Sequence, residues 1–195
     1  MSHSTERKST TIGSASTFDG VRFRSALGRF ASGVTVVTAQ HEEHPHGMTA
    51  NAFVSVSLDP PLVLVSLGNR SNMHRILPRI GRYGVTVLAE DQEALSDHFA
   101  GRSVEGLRIP FVMRDGVPLL DGGVANFIVQ VIDAHPAGDH TLYIGRVEYF
   151  EWRDDKPLLF YSGKYQRLRV ERLKPLQWPE DEFSLFSIGS SPSIT

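Results

Sequence analysis

The sequence contains no cysteine. That single absence excludes disulfide staples, thiolate nucleophiles, CxxC redox centres and cysteine-ligated zinc or iron-sulfur clusters. Any redox chemistry must therefore use a borrowed cofactor. A charge of one sign is lacking too: 20 Lys and Arg stand against 22 Asp and Glu, a net of −2. Without a broad basic field to hold a phosphate backbone, nucleic acid is not the expected partner. No apolar run approaches the roughly 18 to 20 residues of a membrane span, so no membrane is expected either. What is present, 41% hydrophobic and 22% charged residues in a chain of 195, suits one globular domain able to bury roughly 70% of its unfolded surface.

Several sequence fingerprints are also missing. No GxGxxG follows a strand and no GxxxxGK[ST] occurs, which removes support for Rossmann and P-loop nucleotide sites. GxSxG is absent, so there is no nucleophile elbow for a serine hydrolase. The stretch His41-Glu42-Glu43-His44-Pro45-His46 invites a metal reading. Its histidine spacing does not match a helical HExxH, and Pro45 interrupts it, so a solvated hairpin loop without metal is expected.

Residues 1–17 are rich in Ser and Thr and have no apolar core of a secretory signal, which points to a disordered leader on a cytoplasmic protein. From Phe18 onward Phe23, Leu27, Phe30 and Ala31 recur at helical spacing and Gly33 follows, so one amphipathic helix opens the domain. A hairpin is expected next, from the β-branched run 34–39, a polar stretch at 41–45 and a strand over 48–57. The short apolar run 62–67 reads as a strand buried on both faces. Ser71 is placed to cap a helix limited by Pro78 and Gly81, a strand follows over 83–88, and Asp91 is placed to cap a further short helix. Strands at 124–134, 140–152 and 158–161 complete a mainly β domain of barrel or sandwich type with a few flanking helices. Residues 166–195 form an extension whose Trp178, Phe183 and Phe186 either dock on a neighbour or are disordered.

Two segments carry a resemblance. The first is Phe30-Ala31-Ser32-Gly33-Val34-Thr35-Val36-Val37-Thr38, continued by His46-Gly47-Met48-Thr49-Ala50-Asn51-Ala52-Phe53 up to Pro61. The second is Gly138-Asp139-His140 followed by Tyr143-Ile144-Gly145-Arg146-Val147, with a weaker third at 158–165. Together they resemble the short-chain flavin reductases of two-component monooxygenases, over residues 18–165 and in the right order. The resemblance implies an FMN-binding split β-barrel of Greek-key type and a homodimer. It further implies NAD(P)H-dependent reduction of FMN or FAD, with the reduced flavin passed to a partner monooxygenase.

The residues make chemical sense beside that resemblance. A flavin ring is flat and apolar with one acceptor-rich edge, so its site needs small side chains and a row of N–H and O–H donors. Thr49, Ala50 and Asn51 offer both, with Thr49, Asn51 and Phe53 on one face if the strand runs straight. Thr35, Ser57 and Ser66 are candidate hydroxyls beside Leu67. Asn69, Ser71 and the first amides of the following helix suit the flavin phosphate, and Arg102, which follows Phe99-Ala100-Gly101, is a candidate to add charge, with Phe99 a further flavin-binding candidate. For NAD(P)H the resemblance implies His140 and Tyr165, with His140 as the catalytic candidate. Two other readings stay open: a flavoprotein of the same fold that keeps its FMN and acts on a small substrate itself, or a non-enzymatic interaction module.

Overall fold

The computed structural model describes residues 18–102 and 104–169. The expected leader and most of the C-terminal extension, including Trp178, Phe183 and Phe186, lie outside them. Helix α1 (Gly20–Leu27) starts at Asp19, whose carboxylate accepts from the amides of Val21 at 3.0 Å and Arg22 at 3.2 Å. It is shorter than its apolar stripe. Phe23, Leu27 and Phe30 all remain exposed, Phe30 by 82%, so the face that its periodicity marks as inward is left uncovered among the described residues.

After β1 (Ser32–Gly33), strands β2 (Thr35–His41) and β3 (His44–Ala50) form the hairpin. The turn is tighter than the sequence suggests: only Glu42 and Glu43 lie outside the ladder, and Glu42 takes a φ of 54°. His41 and His44 pair across the strands, and His46 is half-buried within β3. The solvated loop expected over 41–46 is thereby corrected to two residues. The single strand expected over 48–57 is two strands, because the chain turns at Asn51 and Ala52 and changes partner. β4 (Phe53–Leu58) pairs with β5 (Pro61–Gly68) instead of β2. Within β5, Val63, Val65 and Leu67 are fully buried while Leu62, Leu64 and Ser66 are only half-covered, so one of its faces, not both, belongs to the core.

Helix α2 (Asn72–Ile80) is capped by Ser71, whose Oγ accepts from the His74 amide at 3.1 Å, and closed by Gly81 at φ 67°. Pro78 sits inside the helix. β6 (Arg82–Val87) follows, then α3 (Glu93–Phe99). Asp91 does not cap α3: the cap position is Gln92, whose side-chain oxygen turns back to accept from the Ala89 amide at 3.0 Å. A small hairpin of β7 (Phe111–Arg114) and β8 (Val117–Leu120) was not expected. Two long strands come next, β9 (Ala125–Ala137) and β10 (His140–Trp152), then β11 (Leu158–Tyr161) and β12 (Lys164–Arg167).

Seven strands make one antiparallel sheet in the order β3-β2-β6-β9-β10-β5-β4. The mainly β expectation with a few short helices is borne out. Beneath the sheet Val37, Val65, Leu67, Met73, Leu77, Tyr83 and Val85 form the main core, each large aliphatic side chain contributing about 1.5–3 kcal/mol by leaving water. Met73, Ile76 and Leu77 come from α2, so burial of its inner face presses that helix onto β2 and β3 and fixes where its N-terminus opens. Among the described residues no helix is long and apolar enough to cross a membrane.

Candidate functional site

The C-terminal end of β5 gathers the two segments singled out in the sequence. On one side the Ser66 amide donates to the Ala52 carbonyl at 3.0 Å, which draws the Asn51-Ala52 corner against the strand. On the other side Thr141 pairs with Leu67 and His140 with Gly68. Asn69 then ties the β9–β10 turn down. Its amide donates to Asp139 O at 3.0 Å, its Nδ2 to Gly138 O at 3.5 Å, and its Oδ1 accepts from Thr141 Oγ1 at 2.8 Å. The Asn69 side chain is thus engaged with the hairpin. His140 is exposed, with Nδ1 2.7 Å from Asp139 Oδ1. That hydrogen bond, then the charge of the imidazole, holds the Asp139 carboxyl below the usual carboxylate range.

Two residues beyond Asn69, Ser71 and Asn72 begin α2 and border a cleft of about 480 Å³. Its opposite walls are His46, Gly47 and Met48 of β3 and His98, Phe99 and Gly101 from the end of α3. Gly47 is there for close approach: a Cβ at that position would stand 2.5 Å from the Phe99 ring. Thr49 fixes the same contact from one turn of the ladder away, its hydroxyl donating to Ser96 O at 2.7 Å. The helix start brings unsatisfied amides and a partial positive charge to the cleft. His98 adds a buried Nδ1 without a hydrogen-bond partner, and such a group costs about 1–3 kcal/mol until a ligand or water meets it. Burial lowers the His46 pKa, and the neighbouring His41 lowers it further.

The other expected residues divide clearly. Thr35 is buried and its hydroxyl donates to Ala50 O at 2.5 Å. Leu67 is fully buried in the core, so its side chain is packing. Ser57 pairs with Leu62, six residues down β5 from Gly68, about 20 Å away at strand rise, and the structure does not bring it to the cleft. Arg102 forms an ion pair with Asp97 at 2.7 Å and reaches Tyr165 Oη at 3.3 Å. Tyr165 Oη in turn donates to Asp97 Oδ1 at 2.7 Å and lies 2.8 Å from Ser96 Oγ. Tyr165 is therefore locked to α3, and burial is the first cause of its raised pKa. His46, Met48, Asn72 and His98 were not named among the site residues. Only His46 and Met48 left a signal, by flanking Gly47 in the matched segment.

An antiparallel β domain that opens a half-apolar cleft at a helix start, with His46 and His98 at its rim, is a small-ligand domain suited to a flat, phosphate-bearing molecule. Over residues 27–169 the chain matches the family described as Flavin reductase like domain, and it belongs to that family. It is 52% identical over 153 residues to an NADH-dependent flavin reductase of a Rhodococcus species, an alignment covering 77% of this chain and 87% of the relative. It is 41% identical over 147 residues to the reductase component of 4-hydroxyphenylacetate 3-monooxygenase from Thermus thermophilus, covering 75% and 95%. Among solved structures, an NADH:FAD oxidoreductase of Streptomyces globisporus in complex with NAD and FAD fragments superposes with a TM-score of 0.74 at 36% identity, covering 81% of this chain and 99% of that one.

Proposed function

We propose that this protein is an NAD(P)H-dependent flavin reductase that hands free reduced FMN or FAD to a partner monooxygenase. The observation that carries the reading is the junction at the end of β5. There the Asn51-Ala52 corner and the Gly138-Asp139-His140 turn, far apart in sequence, flank one strand end beside the cleft. A flavin fits these residues. The Thr49 to Ala52 segment offers small side chains and amides to the ring, and the start of α2 with Ser71 offers donors to the phosphate. Bound flavin supplies an acceptor for the hydride of the nicotinamide C4. The chain's own work is to align the two rings, His140 contacting the nicotinamide and Tyr165 bracing the rim; such a transfer needs orientation more than a general base. A flavin that must leave is held modestly, on the order of micromolar, or about −8 kcal/mol.

The reading extends to assembly and place. The split-barrel description implied by the family fits a sheet whose β3 also approaches β5. A homodimer is supported by the apolar surface left uncovered among the described residues: Phe18, Phe23, Leu27 and Phe30 around α1, and Val54, Val56 and Leu58 along the sheet-edge strand β4. We place the protein in the cytoplasm, where its proposed reductant is available. Flavin-stripped protein should oxidise NADH or NADPH, followed by loss of nicotinamide absorbance, only when FMN or FAD is added and in proportion to flavin occupancy. Turnover with no dependence on added flavin would overturn the diffusible-flavin reading, and no turnover with any pair would overturn the reductase reading.

A further inference from the structure

A second groove of about 310 Å³ continues from the first cleft, sharing His46 and Asn72 with it. Beyond those two residues it is bordered by His41 on the β2–β3 hairpin and by Arg75, Ile76 and Arg79 on α2. Arg75 and Arg79 lie four residues apart on one helical face. Neither has an ion-pair or side-chain hydrogen-bond partner among the described residues, whereas Arg82, Arg102, Arg114 and Arg153 each face a carboxylate. No acidic side chain borders the groove. From Ser71 to Arg79 the helix advances about 12 Å at 1.5 Å per residue. That length suits a second phosphate and a nucleoside continuing past a first phosphate held at the helix start. FMN ends at that first phosphate and leaves the arginines unmatched.

Resting on the flavin reductase reading, we infer that the groove between the hairpin and α2 is a subsite for the adenylate half of FAD. Arg75 and Arg79 take the distal phosphate there, while the half-buried ring of His46 presents a flat surface to the base. FAD is thus the preferred flavin, and these two arginines are its specificity determinants.

The test uses the full-length chain and its double variant Arg75→Gln/Arg79→Gln, with dissociation constants for FMN, FAD and NADH measured by calorimetry. Both side chains are exposed, so the substitutions leave the core untouched. The ratio of the FMN to the FAD dissociation constant should exceed one in the natural chain and fall about tenfold in the variant. An unchanged ratio overturns the proposal while leaving flavin reduction standing. A selective loss of NADH affinity also overturns it, since the groove would then serve the nicotinamide nucleotide. Failure of the natural chain to bind either flavin would overturn the reductase reading itself. As a check that needs no variant, AMP should compete with FAD more strongly than with FMN; equal competition counts against the subsite.

Discussion

The ring of His140 stands against Gly68: its Nε2 lies 3.8 Å from where a Cβ on Gly68 would be, while its Nδ1 meets Asp139 Oδ1 at 2.7 Å. The imidazole is thus held from one edge and left open on the other, next to the strand end where the flavin segment arrives. His140→Ala should raise KM for NADH on the order of tenfold, equivalent to about 1.4 kcal/mol, with a smaller rise in KM for flavin. Steady-state kinetics with each substrate varied in turn decide this; equal rises would make His140 a structural residue.

Asp139 is fully exposed, yet its hydrogen bond with His140 depresses its pKa. A carboxylate whose folded-state pKa is depressed contributes above its unfolded value, and that contribution is lost as pH falls through the folded value. KM for NADH should therefore hold steady through the ordinary carboxylate range and climb only at more acid pH. Asp139→Asn should show a raised KM and no such climb. A natural profile that already climbs at the ordinary carboxylate pKa would count against the pair.

Gly47→Ala places a methyl 2.5 Å from the Phe99 ring. The ring must swing toward the cleft, so flavin KM should rise several-fold, with a stability loss of about 1–3 kcal/mol. Adding Phe99→Ala removes the clash. Thermal melts of the four-member cycle should then show clear non-additivity. Additive losses would mean that the two residues do not touch.

Tyr83 is fully buried, and its hydroxyl has no hydrogen-bond partner. Burial raises its pKa well above the ordinary 10.0. The folded state holds that proton more tightly than the unfolded one, so stability falls as pH rises past the unfolded value. Tyr83→Phe should match or exceed the natural chain by up to about 1 kcal/mol at neutral pH and lose less on going to alkaline pH. Chemical denaturation at two pH values checks both. A strongly destabilised variant would reveal a partner, such as a water, on the hydroxyl.

Strand existence was legible wherever β-branched residues crowd, as in 35–39, and the Ser71 cap was legible because its hydroxyl acts on a neighbour three residues away. The β7–β8 and β11–β12 hairpins carried readable marks that the sequence expectations pass over. Asp115-Gly116 and Ser162-Gly163 supply the consecutive positive φ angles that tight hairpins demand. The break at Asn51 was not legible, since what ends β3 there is a change of partner from β2 to β5. The same holds for the cleft: His46, Asn72 and His98 come from three elements, and only packing of the apolar face of α2 brings them to one rim. Thr35 and Leu67 fit the flavin motif as residue types, yet the fold spends the Thr35 hydroxyl on the Ala50 carbonyl and the Leu67 side chain on the core.

The β9–β10 hairpin sets where His140 stands. Each arm is 13 residues long, on the order of 40 Å from root to tip, and His140 rides at the far end. Two register shifts interrupt the arms, between Ile144 and Gly145 and between Val147 and Tyr149, and each sets the direction in which the tip points. At the first, Gly145 has no room for a side chain: a Cβ would fall 2.2 Å from Val129 Cγ1. From that bend to the tip β10 is held between β9 and β5, from Arg146 opposite Leu62 to His140 opposite Gly68, so the bend sets the direction in which both neighbours deliver the imidazole. On the proposed reading, alignment of the nicotinamide therefore depends on the packing of Gly145 against Val129 as well as on the imidazole itself.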